Sequence, residues 1–270
     1  MSKFSSNDTT LYYESTGIGT PILLTHGFAA TSQIWRRQIK PFASHNQIIR
    51  WDMRGHGRSS SPADPADYSV EQTVSDMAAL LDHLELDRAI IGGHSLGGYM
   101  SLAFHLAYPE RVEALVLIAT GPGYKSDGPR NQWNEMAQGL GDRLKKDGLE
   151  PLRKLDSEMN PDDHDSAEGL AKAAHGMLIQ ADSRIIDSLS GIKVPTLVVV
   201  GEKDRGYVSA SAVMSNKIAD AELVQIPNAG HAVHIHQTAL FDAAVMQFLN
   251  RIESHPTTAP ATDRKDATWT

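Results

Sequence analysis

The sequence predicts an α/β fold built on a doubly wound, mostly parallel sheet with a helical insertion. Short apolar segments recur along the 270 residues with helical segments between them, which is the alternation typical of such sheets. The middle segments are almost continuously apolar, as expected for parallel strands that are buried on both faces. Between Gly121 and Gly191 the alternation stops, because that stretch has no good strand candidate and its apolar residues follow helical spacing in pieces.

Each element is predicted from its local pattern. Leu11–Glu14 is expected to form an antiparallel edge strand before a glycine-containing turn. An amphipathic helix is predicted from Val70 to Leu84, and Ser69 with Gln72 offers a capping box at its start. Six further segments predict the remaining strands, namely Pro21–Thr25, Gln47–Trp51, Ala89–Ile91, Val112–Ile118, Thr196–Val200 and Glu222–Ile226.

Three parts of the chain follow from this pattern. Residues 1–120 and 192–253 are predicted to form the α/β core. Residues 121–191 are predicted to form a helical cap over the C-terminal edge of the sheet, where ligands bind in such folds. A structureless loop of that length is rare in a compact domain, which favours helices there. Residues 254–270 are rich in Thr, Pro, Ala and charge, and we expect them to be a flexible tail.

The composition narrows the class of function. The formal net charge of -8 argues against nucleic acid or an anionic membrane surface as a partner. The chain has no cysteine, which excludes disulfides, thiol catalysis and thiolate metal sites. The N-terminus lacks the apolar core of a signal peptide, and no apolar run has the length of a membrane span, so a cytoplasmic location is expected. No metal or cofactor is predicted, and the oligomeric state is left open.

A serine between glycines is the first candidate for chemistry. Ser95 lies between Gly93 and Gly97 in a G-x-S-x-G pattern, which arises by chance in roughly one chain in ten of this length. The context of Ser95 favours a nucleophile, since a predicted strand precedes it and a predicted helix follows it. On a sharp strand-to-helix turn the two glycines avoid a collision, and the free N–H groups of the helix can hold an oxyanion. The alternative is a polar residue in a glycine-rich loop.

A serine nucleophile needs a histidine base. The chain has twelve histidines, so position must select among them. His231 is favoured because it lies in a loop directly after the last predicted strand, at the edge of the sheet where Ser95 is expected. His234 and His236 are rivals that fall where the final helix is expected to begin.

The base in turn needs a carboxylate that orients it. Asp204 is favoured because it follows the strand over Thr196–Val200, and Glu202 is a rival two residues closer to that strand. In a further alternative, Asp204 merely caps a helix that starts near Ser209.

A second oxyanion donor and the substrate pocket complete the predicted site. The N–H of Phe28, which follows His26-Gly27 at the end of a strand, can meet the N–H of Leu96 over one oxygen. A plain turn at the end of the strand is the alternative interpretation of His-Gly. The side chains predicted to line the substrate pocket are His26, His94, Trp133, Met136 and Val233.

Five motifs, in this order, resemble those of the α/β-hydrolase superfamily of serine hydrolases: HGF at 26–28, DMRGHGRS at 52–59, GHSLGG at 93–98, GEKD at 201–204 and NAGH at 228–231. The resemblance extends along nearly the whole chain to about Ser254. It implies that Ser95 is the nucleophile, His231 the base and Asp204 its acid, with an oxyanion hole from the N–H groups of Phe28 and Leu96.

The resemblance also implies roles for two longer segments. Residues 121–191 match the variable cap domain of the family. The segment 52–59 is similar to a structural turn beside the oxyanion loop, so that Arg54, His56 and Arg58 are expected to belong to the scaffold. A serine nucleophile separates the chain from the haloalkane dehalogenases and epoxide hydrolases, which carry an aspartate there.

These observations favour a carboxylic-ester hydrolase that acts through an acyl-enzyme on a small to medium, largely apolar ester or lactone. Hydrolases of C–C bonds usually carry Asn before the nucleophile and Trp after the catalytic histidine, where this chain has His94 and Ala232. Cleavage of a C–C bond, enol-lactone opening or a lyase reaction on the same residues stays open as an alternative. A slow or non-catalytic ligand-binding receptor is the alternative from another class.

Overall fold

The centre of the fold is an eight-stranded sheet, seen in a computed structural model that describes residues 2–154 and 160–254. Its strands are β1 (Ser2–Ser6), β2 (Thr9–Thr16), β3 (Thr20–Thr25), β4 (Asn46–Trp51), β5 (Ala89–His94), β6 (Val112–Ile118), β7 (Thr196–Gly201) and β8 (Ala221–Ile226). They lie in the order β1-β2-β4-β3-β5-β6-β7-β8. β1 and β2 pair antiparallel, as do β2 and β4, and all other neighbours are parallel.

Helices cover both faces of this sheet. The α-helices of the described residues are α1 (Ile39–Phe42), α2 (Val70–His83), α3 (Leu96–Ala107), α4 (Asp127–Asp147), α5 (Ala167–Gly176), α6 (Arg184–Ser188), α7 (Arg205–Lys217), α8 (Val233–His236) and α9 (Thr238–Ser254). α2, α3 and α7 pack on one face, and α1 and α9 pack on the other. The predicted doubly wound, mostly parallel fold is therefore confirmed. Within the described residues no helix is both long and apolar enough to cross a membrane.

Alternation along each strand divides the core into two layers. In β5, Ile91 faces the layer under α2 and α3, while its neighbour Ile90 faces the layer under α9. The second layer contains the large aromatic side chains of Trp35, Phe42 and Phe241, of which Trp35 is fully buried. Successive side chains of a strand point to opposite faces, so the continuously apolar strands of the sequence supply both layers at once.

The N-terminal edge of the sheet differs from the prediction. β1 was not predicted, because its five residues contain a single apolar side chain, Phe4. Phe4 is buried against Tyr13 in edge-to-face contact and stacks on His83, with ring centroids 5.9 Å and 5.3 Å away. The aromatic contacts of this single side chain add to the backbone pairing of β1 with β2, and alternation counted along the sequence does not detect such a strand.

Helices fill the connection between β6 and β7. α4 packs against α5, and the described residues 119–154 and 160–195 contain no strand. Leu155, one of the apolar residues with helical spacing in the predicted cap, lies outside the described residues, as does the tail over 255–270. Ser254, the first residue of the predicted tail, instead ends α9. We refer to α4, α5 and α6 together as the inserted helices.

Candidate active site

Ser95 lies on a strained turn between β5 and α3. Its φ of 53° and ψ of -116° are unusual for a residue with a side chain, and such strain is held in place by the surrounding structure. A Cβ atom at Gly93 would lie 2.2 Å from the Gly97 carbonyl carbon, and one at Gly97 would lie 2.2 Å from the Thr25 carbonyl oxygen. The turn therefore requires glycine at both positions, and it presents Ser95 at the N-terminus of α3.

His231 and Asp204 meet at the same end of the sheet. His231 lies in the loop after β8, and its Nδ1 atom is 2.8 Å from Oδ2 of Asp204. Asp204 is the residue before α7, which begins at Arg205 rather than near Ser209 as expected. Asp204 therefore occupies the N-cap position, but its carboxylate makes no capping hydrogen bond. The carboxylate instead fixes which ring nitrogen of His231 carries the proton.

The rivals for these two positions have other partners. The Glu202 carboxylate accepts a hydrogen bond from the Asn228 N–H at 3.0 Å. His236 accepts one from the Gly230 N–H at 3.1 Å. His234 is fully buried, with its ring centroid 4.8 Å from that of Trp35, beneath the loop that carries His231. The structure thus brings His231, and neither rival, to Asp204.

The loop after β3 lies against Ser95 from the other side. A Cβ atom at Gly27 would lie 3.3 Å from the Cβ atom of Ser95. Phe28 follows in this loop and is buried, and Leu96 follows Ser95 directly. The two residues predicted to supply oxyanion N–H groups therefore belong to the two backbone segments that meet at the serine.

Two of the predicted pocket residues, His26 and His94, are buried supports. The His26 Nε2 atom accepts a hydrogen bond from the Met53 N–H at 3.0 Å, and burial lowers the pKa of His26 to about 4. His94 donates from Nε2 to the His231 carbonyl oxygen at 3.1 Å. Burial, followed by the nearby His231 and His234, lowers the pKa of His94 well below its ordinary value. Both rings are therefore neutral near pH 7 and hold the loops on either side of Ser95.

A cavity of about 270 Å³ opens at Ser95, between α3, α7 and the inserted helices. Of the five predicted pocket residues, Trp133 lines it; its Nε1–H donates to the Leu178 carbonyl oxygen at 2.7 Å. Met136 lies elsewhere, on the outer face of α4 with 52% of its surface exposed. His26, His94 and Val233 are packed beneath the loops. Several other side chains line the cavity without a signal in the sequence, among them Tyr99, Tyr124, Gln180 and Tyr207.

The cavity is mainly apolar and carries no formal charge. In the described part of the chain, none of its lining residues is Asp, Glu, Lys, Arg or His. Two cations of the neighbouring segments pair with carboxylates, Lys125 with Asp187 at 3.4 Å and Arg184 with Asp182 at 2.6 Å. The described residues also contain no group of three or more His, Asp or Glu side chains arranged to hold a metal ion.

The segment 52–59 braces the loop after β3. Asp52 accepts hydrogen bonds from the N–H groups of Ser32 and Arg58, at 2.6 Å and 3.0 Å. Arg54 is fully buried and donates through two nitrogens to the Asp76 carboxylate, at 2.7 Å each. These contacts join the loop to α2, and they lie behind the site rather than in the cavity.

Comparisons with known proteins agree with the fold that carries this site. A family model described as "alpha/beta hydrolase fold" matches residues 20–159. The 2-hydroxy-6-oxo-2,4-heptadienoate hydrolase of Pseudomonas putida is 31% identical over 249 residues, which is 86% of this chain and 90% of that protein. The 3-oxoadipate enol-lactonase 2 of Acinetobacter baylyi is 27% identical over 85% of this chain and 88% of its own. A thermophilic esterase from Thermogutta terrifontis superposes with a TM-score of 0.80 at 27% identity, covering 93% of this chain and 98% of its own.

Proposed function

Since the chain belongs to the alpha/beta hydrolase fold family, we propose that it is a serine hydrolase that cleaves a small to medium, uncharged carboxylic ester or lactone through an acyl-enzyme. One observation carries this proposal. Ser95 on its strained turn lies beside a cavity without formal charge, at the end of the sheet where His231 is held by Asp204. Nucleophile, base and acid are the parts that acyl transfer requires.

The first half of the reaction is acylation. His231 takes the proton of the Ser95 hydroxyl on Nε2, because Nδ1 is engaged with Asp204. The Ser95 oxygen attacks the ester carbonyl, and the oxyanion is held by the N–H groups of Phe28 and Leu96. The C–O bond to the leaving group breaks and the proton passes from His231 to that oxygen. Each oxyanion donor of this kind is typically worth about 100- to 1,000-fold in rate.

The second half is deacylation. A water molecule gives its proton to His231 and attacks the acyl carbon, and the electrons of the C–O bond return to Ser95 together with that proton. Asp204 stabilises the imidazolium that forms in both halves without taking its proton. The strained backbone of Ser95 keeps the hydroxyl at the tip of the turn throughout.

The cavity limits the class of substrate. A volume of about 270 Å³ lies just below the usual range for small-molecule sites, which begins at about 300 Å³. A substrate carboxylate in this cavity would lose its hydration without meeting a cation, which is costly. Two of the relatives are named for carboxylates, 2-hydroxy-6-oxo-2,4-heptadienoate and 3-oxoadipate. The uncharged lining of this cavity favours a substrate without such a carboxylate.

Two esters of equal acyl length test the proposal. p-Nitrophenyl butyrate and mono-p-nitrophenyl succinate share the leaving group and differ by one terminal carboxylate. We expect kcat/KM to be at least about tenfold higher for the butyrate, since the carboxylate is desolvated without a partner. A fluorophosphonate probe should label the peptide that contains Ser95, and Ser95→Ala should abolish both labelling and turnover.

The same experiment identifies a wrong assignment. Equal or greater kcat/KM for the succinate would overturn the uncharged substrate class while leaving the nucleophile in place. Labelling at another residue, or turnover that survives Ser95→Ala, would overturn the mechanism. Cleavage of 2-hydroxy-6-oxo-2,4-heptadienoate without cleavage of any ester or lactone would instead assign C–C bond hydrolysis.

A further inference from the structure

Tyr207 contacts the proposed base and the proposed nucleophile together. It lies in the first turn of α7, three residues after Asp204. Its ring stacks on that of His231, with centroids 4.8 Å apart and planes inclined by 24°. Tyr207 and Ser95 line the same cavity, and their two hydroxyl groups interact electrostatically there. A phenylalanine could make the same stacking contact with His231, so the contact does not by itself account for the hydroxyl of Tyr207.

The strand order places Tyr207 across the serine from the oxyanion N–H groups. β5 ends at the Ser95 turn, with β3 on one side of it and β6 and then β7 on the other. Phe28 follows β3, whereas Tyr207 follows β7. An acyl carbon attached to Ser95 therefore has its oxyanion on the β3 side. Its other oxygen, that of the leaving group, must lie near His231 to receive the proton, and this is where the Tyr207 hydroxyl lies.

We propose that the Tyr207 hydroxyl is a catalytic hydrogen-bond donor to the leaving-group oxygen, while its ring positions His231. This rests on the proposed function. As the tetrahedral intermediate collapses, the C–O bond to the leaving group breaks and its electron pair remains on that oxygen. His231 transfers a proton from Nε2 to the same oxygen. Tyr207 donates a hydrogen bond to it during this step and keeps its own proton.

The surroundings of Tyr207 suit a donor that does not ionise. Burial raises the pKa of Tyr207 to about 12, with a smaller contribution from the charge of Asp204. The phenol therefore stays protonated and neutral in the range in which a serine hydrolase works.

Leaving-group dependence tests this role. A hydrogen bond to the departing oxygen matters little for p-nitrophenolate, which is a stable anion, and much for an alkoxide. We expect Tyr207→Phe to lower kcat/KM at least about tenfold for ethyl butyrate and less than about threefold for p-nitrophenyl butyrate. Both esters form the same butyryl-enzyme, so deacylation is common to them. Tyr13→Phe is the matched control, since Tyr13 lies on β2, far from the cavity, and its phenolic hydroxyl contacts His83 of α2.

The ratio of the two kcat/KM values does not depend on how much of a preparation is folded. Tyr207→Leu should therefore show the same change in ratio as Tyr207→Phe, together with a further loss on both esters because the stacking on His231 is gone. An equal loss on both esters in Tyr207→Phe would reduce Tyr207 to a positioning residue, and a gain on both would mean that its hydroxyl restrains Ser95. Either result overturns the proposal. If the wild type cleaves neither ester and Ser95 is not labelled, the proposed function itself has failed.

Discussion

His231 Nδ1 lies 2.8 Å from Asp204 Oδ2. This contact joins the loop after β8 to the residue that directly precedes α7. Asp204 occupies a position at which an aspartate ordinarily caps a helix, yet its carboxylate is used for the histidine. The partner of the Asp204 carboxylate therefore distinguishes an acid that orients His231 from a helix cap, two roles that the sequence pattern alone does not distinguish.

Replacing Asp204 by Asn should lower turnover at least about 100-fold, because the amide carries no charge and can hold the wrong tautomer of His231. Glu202→Gln is the matched control and should change turnover less than about fivefold, since the Glu202 carboxylate accepts from the Asn228 N–H and does not contact His231 in the described structure. Turnover on p-nitrophenyl butyrate measures both, with thermal melts to check folding. The reverse ranking would transfer the role of the acid to Glu202.

Gly97→Ala should destabilise the fold by about 3 kcal/mol or more, because the added carbon would lie 2.2 Å from a main-chain oxygen that cannot move freely. The Ser95 turn would be displaced, and fluorophosphonate labelling should be lost even at temperatures where the variant is folded. Gly128→Ala on α4 is the control, since a Cβ atom there meets nothing within 4 Å. Normal labelling in a stable Gly97→Ala variant would contradict the geometry of the turn.

The free energy of unfolding should fall as the pH decreases from about 6.5 towards 4. Burial lowers the pKa of His26 and His105 to about 4 and that of His234 to about 3. Between these values and the unfolded value of about 6.5 the unfolded chain binds more protons than the native one, and each such histidine costs up to about 1.4 kcal/mol per pH unit. Burial raises the pKa of Asp76 and Asp242. These two carboxyl groups bind protons more readily in the folded state, and they offset part of the loss of stability at low pH.

His234 offers a direct test of that pH dependence. Both ring nitrogens are buried without a hydrogen-bond partner, next to Trp35 and Phe241. His234→Phe keeps an aromatic ring and removes the titration, so its stability relative to wild type should rise by roughly 2 kcal/mol between pH 7.5 and pH 5. Denaturant melts at the two pH values measure it. His45→Phe, at an exposed position, should show no such difference, and an equal shift in both variants would exclude His234 as the cause.

Local pattern was enough for the fold class, for most strands and for the three residues of the proposed catalytic group. Short, continuously apolar runs that alternate with helical segments predict buried parallel strands. The carboxyl ends of those strands share one edge of the sheet, so the loops after β5, β7 and β8 were expected to meet. Ser95 was predictable for a further reason, because the G-x-S-x-G pattern marks the turn: Gly93 is required by the main chain of Gly97 four residues away, whereas the contact that requires Gly97 comes from the distant Thr25. That Asp204 turns to His231 rather than caps α7 remained open until the distance between them was known.

The substrate cavity could not be predicted from local pattern. Trp133 and Met136 lie three residues apart on one helix, yet one faces the cavity and the other is half exposed, because the packing of α4 against α5 sets which face turns inward. Tyr207 carries no recognisable signal, since its contacts with Ser95 and His231 join residues more than 20 positions away from it. Hydrophobic periodicity records whether a side chain is buried. Which side chains converge on one cavity depends on how whole helices pack, and that is fixed by contacts distant in sequence.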